Sequence, residues 1–173
     1  MPQRVDFIID VADRIKKCTN IIFLLIGEGT EKEKIKNLIK IKKLNNVILI
    51  DLIPQDDYIN LTKQCDVGLV NLSEKFTITN IQSRALSYWE AKIPILAAID
   101  SSTDFCSILE QSGSGLSSIS GDINSYIQNF EKLYYDSKLR SLMGNNGYNY
   151  LLENCTTSIA YSIITDKLLS AGL

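Results

Sequence analysis

Apolar positions along the chain predict helices and strands that alternate. Near the N-terminus they recur at helical spacing, which indicates an amphipathic helix carrying Val5, Ile8, Ile9, Val11, Ala12 and Ile15 on its apolar face. The next run, IIFLLIG, is continuous rather than alternating. Continuous apolar runs are typical of strands in parallel sheets, so we predict a strand buried on both faces.

The remaining elements follow from the same periodicities. The predicted order is helix 30–44, strand 47–50, helix 56–64, strand 67–72, helix 83–91, strand 95–98, helix 103–111, a short strand near 115–118 and a helix from 121–122 to about 136. A helical tail follows, with predicted breaks near residues 144–147 and 154–157. Such alternation predicts an α/β, Rossmann-like domain with a doubly wound parallel sheet between two helical layers.

A single domain is expected for residues 1–173, given the length of the chain. The first predicted element is a helix, whereas doubly wound domains usually open on a strand. We therefore expect the first strand to be missing and the chain to be part of a larger protein. Ligands of such sheets bind beyond the carboxyl ends of the strands. This rule selects the loops at residues 27–30, 52–55, 73–82 and 100–103.

Composition excludes several classes of function. The net charge of −2, without a long basic run, argues against nucleic acid as a partner. The absence of histidine excludes Ser-His-Asp triads and histidine-based acid–base chemistry within this chain. The four cysteines are widely spaced and form no CxxC pair, so neither a disulfide framework nor a zinc site is expected. We predict a cytoplasmic protein with no signal peptide and no bound metal.

A short glycine motif, Gly27-Glu28-Gly29, lies between a predicted strand and a predicted helix. It matches only part of a dinucleotide-binding fingerprint, because the third glycine would fall at Lys32. Two interpretations stay open, a tight strand-to-helix turn and a close approach of the backbone to a phosphate. Glu28 would repel a phosphate, which disfavours a dinucleotide-dependent oxidoreductase.

The stretch at residues 79–94 carries the strongest candidate site. A polar loop containing Asn80, Gln82 and Ser83 leads into a helix with Arg84 in its first turn. Helix N-termini attract anions, and a cation there opposes the helix dipole unless an anion is bound nearby. Arginine also binds diphosphates in bidentate fashion. The alternative is that Arg84 is solvated, or paired with Asp100 or Glu90.

Glu90 is predicted at the other end of the same helix, just before Pro94. An acidic group at a helix C-terminus opposes the dipole, which suggests a second duty such as binding ribose hydroxyls. A salt bridge to Lys92 is the alternative.

Four stretches together resemble the C-terminal donor-binding domain of family 4 retaining glycosyltransferases of the GT-B fold. In chain order they are FLLIGEGTEKEKIKNL, NVILIDLIPQDDYINLTKQCDVGLVNL, WEAKIPILAA and SGSGLSSISGD. They occur in the family's order and cover nearly the whole chain.

The resemblance implies a site for a nucleotide-sugar donor, with a UDP-sugar favoured over a GDP-sugar and no metal or other cofactor. It places the donor against Gly27, Asn80, Ile81, Gln82, Ser83, Arg84 and Glu90. In a subgroup of the family a Pro-Ser-Lys-like segment stands where this chain has Gln82-Ser83-Arg84, so Ser83 and Arg84 would contact the diphosphate. Glu90 would hold the ribose. Many relatives have a glutamate at the position of Gln82, and a glutamine brings no negative charge to the sugar.

For the whole enzyme, the resemblance implies transfer of a hexose or N-acetylhexosamine to a lipid-linked or saccharide acceptor. Bacterial surface polysaccharide synthesis, of O-antigen or capsule, is the implied setting, with the whole enzyme in the cytoplasm or peripheral on the inner face of the cytoplasmic membrane. Catalytic and acceptor-binding residues would lie in an N-terminal domain, so none is assigned to this chain and the isolated domain is expected to be inactive.

Two other classes remain open on sequence alone. One is half of a GT-B-like sugar-nucleotide epimerase, which would need acid–base groups near the sugar. The other is a non-enzymatic doubly wound binding domain. A phosphorylatable receiver would have Asp51, Asp56 and Asp57 as its only acidic candidates, and the rest of that pattern is missing.

Overall fold

The computed structural model describes residues 3–73, 82–100 and 104–171. The elements are α1 (Val5–Arg14), β1 (Phe23–Ile26), α2 (Lys32–Lys42), β2 (Val47–Ile50), α3 (Gln55–Thr62), β3 (Gly68–Asn71), α4 (Ser83–Glu90), β4 (Ile95–Ile99), α5 (Phe105–Ser112), β5 (Gly115–Ile119), α6 (Ile123–Tyr135), α7 (Ser137–Asn154) and α8 (Thr157–Ser170). The predicted alternation is therefore confirmed, with boundaries that shift by a few residues.

All strand pairs are parallel, as predicted, but the strands form two separate groups. β1 pairs with β2, with Phe23 opposite Val47. β4 lies between β3 and β5, with Ile95 opposite both Gly68 and Gly115. No pairing joins β1 to β3 among the described residues.

Helices cover both faces of the strands. On one face α1 packs against α2 and α6, and on the other α4 packs against α3 and α7, with α5 also against α7. Side chains of the central strand β4 alternate between the two faces of the sheet and so contribute to two hydrophobic cores. Leu96 and Ala98 belong to the core on the α1–α6 face, whereas Ile95, Ala97 and Ile99 belong to the core on the α4–α7 face. All five residues are buried.

The prediction that the strand in IIFLLIG is buried on both faces is wrong. Phe23 is buried, but the other three residues of β1 remain partly exposed. A strand of a parallel sheet is buried only when strands lie on both of its edges and helices on both faces. Within the described residues β1 has a neighbouring strand on one edge only, and its other edge lines a cleft.

The predicted helix break near residues 144–147 is also wrong, because α7 continues through both glycines. A Cβ at Gly144 would lie 1.9 Å from the backbone oxygen of Lys92, and one at Gly147 would lie 2.3 Å from the Trp89 ring. These glycines therefore allow α7 to approach α4 closely. The predicted break near 154–157 is confirmed, since α8 begins anew with Thr156 as its N-cap.

Candidate functional site

A cleft of about 890 Å³ lies between the two groups of strands. The residues after β1 and the first turn of α4 contribute to its lining, through Gly27 and Arg84. Tyr58 of α3 and Tyr88 of α4 line it as well. The carboxyl end of β1 and the helix that follows β3 thus meet at one cavity, as the doubly wound arrangement requires.

Gly27 makes the turn that leaves β1. Its φ of 142° lies in a region that other residues rarely adopt, so glycine is needed here for the backbone rather than for space. A Cβ at this position would meet no atom within 4 Å. The Gly27 N–H donates to the carbonyl oxygen of Ile50, at 3.1 Å, which fixes the turn against the end of β2. The open space beside this backbone is compatible with a ligand.

A charged cluster occupies the same rim and was missed by the sequence analysis. Lys32 Nζ lies 2.6 Å from Glu28 Oε1 and also bonds the Asp51 carboxylate. The hydrogen bonds that Lys32 donates to Asp51 and, to a smaller extent, to Glu28 raise the pKa of Lys32, and the bond to Lys32 lowers the pKa of Asp51. The i,i+4 spacing of Glu28 and Lys32 was the available signal. Because Lys32 offsets the charge of Glu28, repulsion of a phosphate is weaker than the sequence suggested.

The first turn of α4 carries the predicted anion site. Gln82 is the N-cap in an extended conformation, and its side chain makes no capping hydrogen bond. The early amides of a helix have no partner in the preceding turn, and they concentrate positive potential at its start. Ser83 is exposed there, whereas Arg84 is half-buried and lines the cleft.

Arg84 forms no salt bridge with any residue in the described ranges, so the pairings with Asp100 and Glu90 are not observed there. One turn later, Tyr88 lies on the same face of α4. Burial raises the pKa of the Tyr88 phenol, and the positive charge of Arg84 opposes that rise. The cation therefore lies close enough to act on the cleft wall.

The predicted residues are only partly brought together. Gly27 and Arg84 line one cleft, with Ser83 and Gln82 at the start of the same helix. Asn80 and Ile81 lie outside the described residues. Glu90 is exposed at the end of α4. Glu90 follows Ser83 by seven positions, which corresponds to about 10 Å along the helix axis.

The salt bridge between Glu90 and Lys92, which was the alternative to ribose binding, is likewise not among those of the described residues. Lys92 instead places Nζ 4.3 Å from the centroid of the Tyr148 ring. No group of three metal-binding side chains occurs in the described part of the chain. None of the described helices combines the length and hydropathy that a membrane span needs.

Residues 2–150 match the protein family described as Glycosyl transferases group 1. The chain belongs to this family. The match covers most of the 173 residues, so the resemblance found in the sequence is confirmed at the level of family. No curated protein matches the sequence significantly.

Solved structures of glycosyltransferases share the fold of this group 1 chain. TarM of S. aureus, in complex with fondaparinux, alpha-GlcNAc-glycerol and UDP, aligns with a TM-score of 0.79 and 20% identity over 95% of this chain and 33% of its own. Anabaena HepE, in complex with UDP-glucose, has a TM-score of 0.79 and 14% identity over 97% of this chain and 45% of its own.

A third structure is the C-terminal domain of the group 1 protein LpcC from Francisella tularensis. Its TM-score is 0.72 with 17% identity, over 90% of this chain and 81% of that domain. The chain therefore spans less than half of TarM and HepE but most of an isolated C-terminal domain. The predicted α/β GT-B fold is confirmed by these alignments.

Proposed function

We propose that this domain binds the nucleotide-sugar donor of a retaining glycosyltransferase. The observation that carries the proposal is the position of Arg84, in the first turn of α4 and on the wall of the cleft that Gly27 also lines. Membership of the group 1 family makes a sugar nucleotide the matching ligand.

The physical basis is stabilisation of negative charge. A diphosphate at the start of α4 would accept hydrogen bonds from early amides and from the Arg84 guanidinium. During transfer, charge develops on the leaving diphosphate, and fixed donors aimed at that charge lower the barrier. Ser83, which is exposed at the start of α4, would contribute its hydroxyl. In this proposal the chain supplies donor binding and leaving-group stabilisation, whereas catalytic groups belong to an N-terminal acceptor-binding domain.

We propose uracil as the base of the donor, because TarM and HepE were solved with UDP and UDP-glucose, respectively. We propose binding without a metal ion, with Arg84 and helix amides in its place. The transferred group would be a hexose or N-acetylhexosamine, and the acceptor a saccharide or a lipid-linked saccharide. Surface polysaccharide synthesis on the cytoplasmic side of the membrane is the proposed setting, and the domain alone would be inactive.

Loss of Arg84 tests the proposal directly. Titration of UDP into the chain, followed by calorimetry or NMR, should show affinity about 10- to 100-fold lower for Arg84→Ala, since hydrogen bonds to charged groups contribute about 1.5–3 kcal/mol. Arg14→Ala is the matched control. Arg14 is exposed, ends α1 and is not among the residues that line the cleft. Equal affinity for Arg84→Ala and wild type would remove Arg84 from the site.

The role of Glu90 in binding ribose stays a prediction with its own test. If Glu90 accepts a hydrogen bond from the ribose, Glu90→Gln should weaken binding of UDP but leave binding of inorganic pyrophosphate unchanged. Arg84→Ala should weaken both. An unchanged UDP affinity in Glu90→Gln would assign the ribose to another residue, in line with the distance of about 10 Å along α4.

A further inference from the structure

Lys32 has an unusual position for a lysine. It is the first residue of α2, where its positive charge opposes the helix dipole. Its side chain is only 13% exposed, although lysine side chains are mostly solvated, and it lines the cleft together with Gly27 and Glu28. Both the low exposure and the place on the helix have their cause in the carboxylates that surround the Lys32 ammonium group.

Two carboxylates share this single cation. Glu28, which directly follows Gly27, has its Oε1 atom 2.6 Å from Lys32 Nζ. Asp51, which directly follows β2, also accepts a hydrogen bond from Lys32. The side chains of Glu28 and Asp51 are 58% and 79% exposed, so both keep contact with solvent. One positive and two negative charges leave one net negative charge, and loss of Lys32 would double it.

The other carboxylates that line the described part of the cleft have cations of their own. Glu31 Oε2 lies 2.9 Å from Lys34 Nζ, and Asp66 Oδ1 lies 3.6 Å from Arg140 Nη2. Arg84 is the lining cation that forms no salt bridge with a described residue. Each carboxylate of this wall is thus paired with a cation, and Arg84 supplies a positive charge that no carboxylate of the wall balances.

Among these carboxylates, Glu28 is the one that adjoins Gly27 in the sequence. The backbone at Gly27 borders open space, because a Cβ built there would meet no atom within 4 Å. In the proposed donor site, the diphosphate lies in the cleft that this backbone and Arg84 both line. An uncompensated carboxylate at Glu28 would repel that diphosphate, and the repulsion would grow with the number of charges on the ligand.

We propose that Lys32 determines how strongly this domain binds phosphate groups, acting through Glu28 rather than by contact with the ligand. Lys32 is in this sense a positioning residue: it holds the Glu28 carboxylate beside its own positive charge, which reduces the negative potential at the cleft rim. Asp51 competes for the same cation and so weakens this compensation. The proposal rests on the proposed donor site, which supplies the diphosphate.

Ligands that differ in charge test this role. Uridine, UMP and UDP are titrated into the full chain carrying Lys32→Met, which keeps an unbranched side chain but has no charge. The affinity for UDP should fall about 3- to 30-fold and that for UMP by less, whereas the affinity for uridine should stay unchanged. An equal loss for uridine and UDP would mean that Lys32 only maintains the structure of the rim, which overturns the proposal. The absence of any loss overturns it as well.

Lys36→Met is the matched control on the same helix. Lys36 Nζ lies 2.8 Å from Glu33 Oε1, an ion pair of the same kind, but neither residue is among those that line the cleft. The control should leave all three affinities unchanged, and a loss of UDP affinity as large as that of Lys32→Met would overturn the proposal.

Salt provides a second check on the electrostatic role. About 1 M salt shortens the Debye length to about 3 Å, so it should reduce the effect of Lys32→Met on UDP binding. An effect that does not change with salt would contradict the proposal.

Substitutions of the two carboxylates keep the proposal testable if Lys32→Met fails to fold. Glu28→Gln and Asp51→Asn should each raise the affinity for UDP, because each removes one negative charge from the cluster while Lys32 remains. An unchanged or lower affinity in Glu28→Gln would show that Glu28 does not repel the ligand, which overturns the proposal.

The double variant Lys32→Met/Glu28→Gln shows whether Lys32 acts through Glu28. It should bind UDP about as well as the wild type, because the negative charge that Lys32 offsets is then absent. A double variant as weak as Lys32→Met would show that Lys32 contacts the ligand directly, which overturns the proposal.

Arg84→Ala separates this proposal from that of the donor site. If Arg84→Ala lowers the affinity for UDP but Lys32→Met does not, the donor site stands and only the role of Lys32 is wrong. If Lys32→Met shows the charge-dependent loss while Arg84→Ala binds UDP as the wild type does, Lys32 keeps its role and the diphosphate lies away from the start of α4. Absence of UDP binding to the wild-type chain would overturn both.

Discussion

The strands β1 and β4 are similarly apolar, with the sequences FLLI and ILAAI, but they differ in how deeply their residues are buried. All five residues of β4 are buried, whereas three of the four residues of β1 are partly exposed. β4 lies between β3 and β5, while β1 has β2 on one edge only within the described residues. The difference is therefore in the neighbours, since burial of a strand depends on the elements around it.

The two halves also differ in how their helices pack. The half containing β3, β4 and β5 has a core around Trp89, which is fully buried and donates from Nε1 to Ser114 Oγ at 3.1 Å. Close approach of α4 and α7 through Gly144 and Gly147 completes this core. The half containing β1 and β2 instead borders the cleft and carries the polar rim of Glu28, Lys32 and Asp51. The first half is therefore packed closely around Trp89, whereas the strands of the second half border open space.

The largest expected effect comes from filling the close approach of α7 to α4. In Gly144→Val the new side chain would overlap the backbone oxygen of Lys92, which cannot rotate away. Overpacking usually costs about 1–3 kcal/mol, and we expect this variant to lie at or above the upper end of that range. Urea unfolding followed by circular dichroism measures the loss.

Gly29→Val is the matched control in the other half. A Cβ at Gly29 would meet no atom within 4 Å, so the free energy of unfolding should change by less than about 0.5 kcal/mol. Similar losses in the two variants would contradict the contrast between the halves.

An equal truncation in each half is expected to have the second largest effect. Leu96 of β4 is fully buried, so Leu96→Ala should cost about 2–5 kcal/mol in the free energy of unfolding. Leu24 of β1 is partly exposed, so Leu24→Ala should cost roughly 1 kcal/mol. Equal costs would show that β1 is buried in solution.

Element order and parallel topology could be predicted because local patterns determine them. Helical spacing gave α1, and continuous apolar runs gave β1 and β4. The two failures are tertiary in origin. Two glycines close together, such as Gly144 and Gly147, are typical of a break in a helix. Only their close approach to Lys92 and Trp89 shows that they serve the packing of α7 against α4. The exposure of β1 depends on which strands lie beside it in the sheet, and the sequence of β1 itself does not contain that information.

The candidate site was predictable in part for the same reason. Position on an element follows from the sequence, so Gly27 and Arg84 were correctly placed after β1 and at the start of α4. The Lys32 cluster was missed because it joins α2 to Asp51, 19 positions further along the chain. The rise of a helix gives a distance of about 10 Å between Ser83 and Glu90 once both are known to lie on one continuous helix. The structure shows that α4 is continuous from Ser83 to Glu90, so the two side chains lie at opposite ends of the helix.

The smallest expected effect concerns the polar rim of the β1–β2 half and depends on pH. Lys32 lowers the pKa of Asp51, so the Asp51 carboxylate stabilises the fold above its unfolded pKa and loses this effect as the pH falls through the lower folded pKa. Asp51→Asn should therefore slightly lower the unfolding midpoint near neutral pH, and the difference from wild type should vanish once the pH has fallen below the lowered pKa of Asp51 in the folded state. The raised pKa of Lys32 has the opposite pH dependence: the contribution of Lys32 to stability is fully present below its unfolded pKa and is lost only as the pH rises through its folded pKa.

Asp166→Asn is the control, because Asp166 is exposed on α8 and forms no salt bridge with a described residue. A difference between Asp51→Asn and wild type that persists unchanged at low pH would mean that the effect of the substitution does not come from the charge of the Asp51 carboxylate.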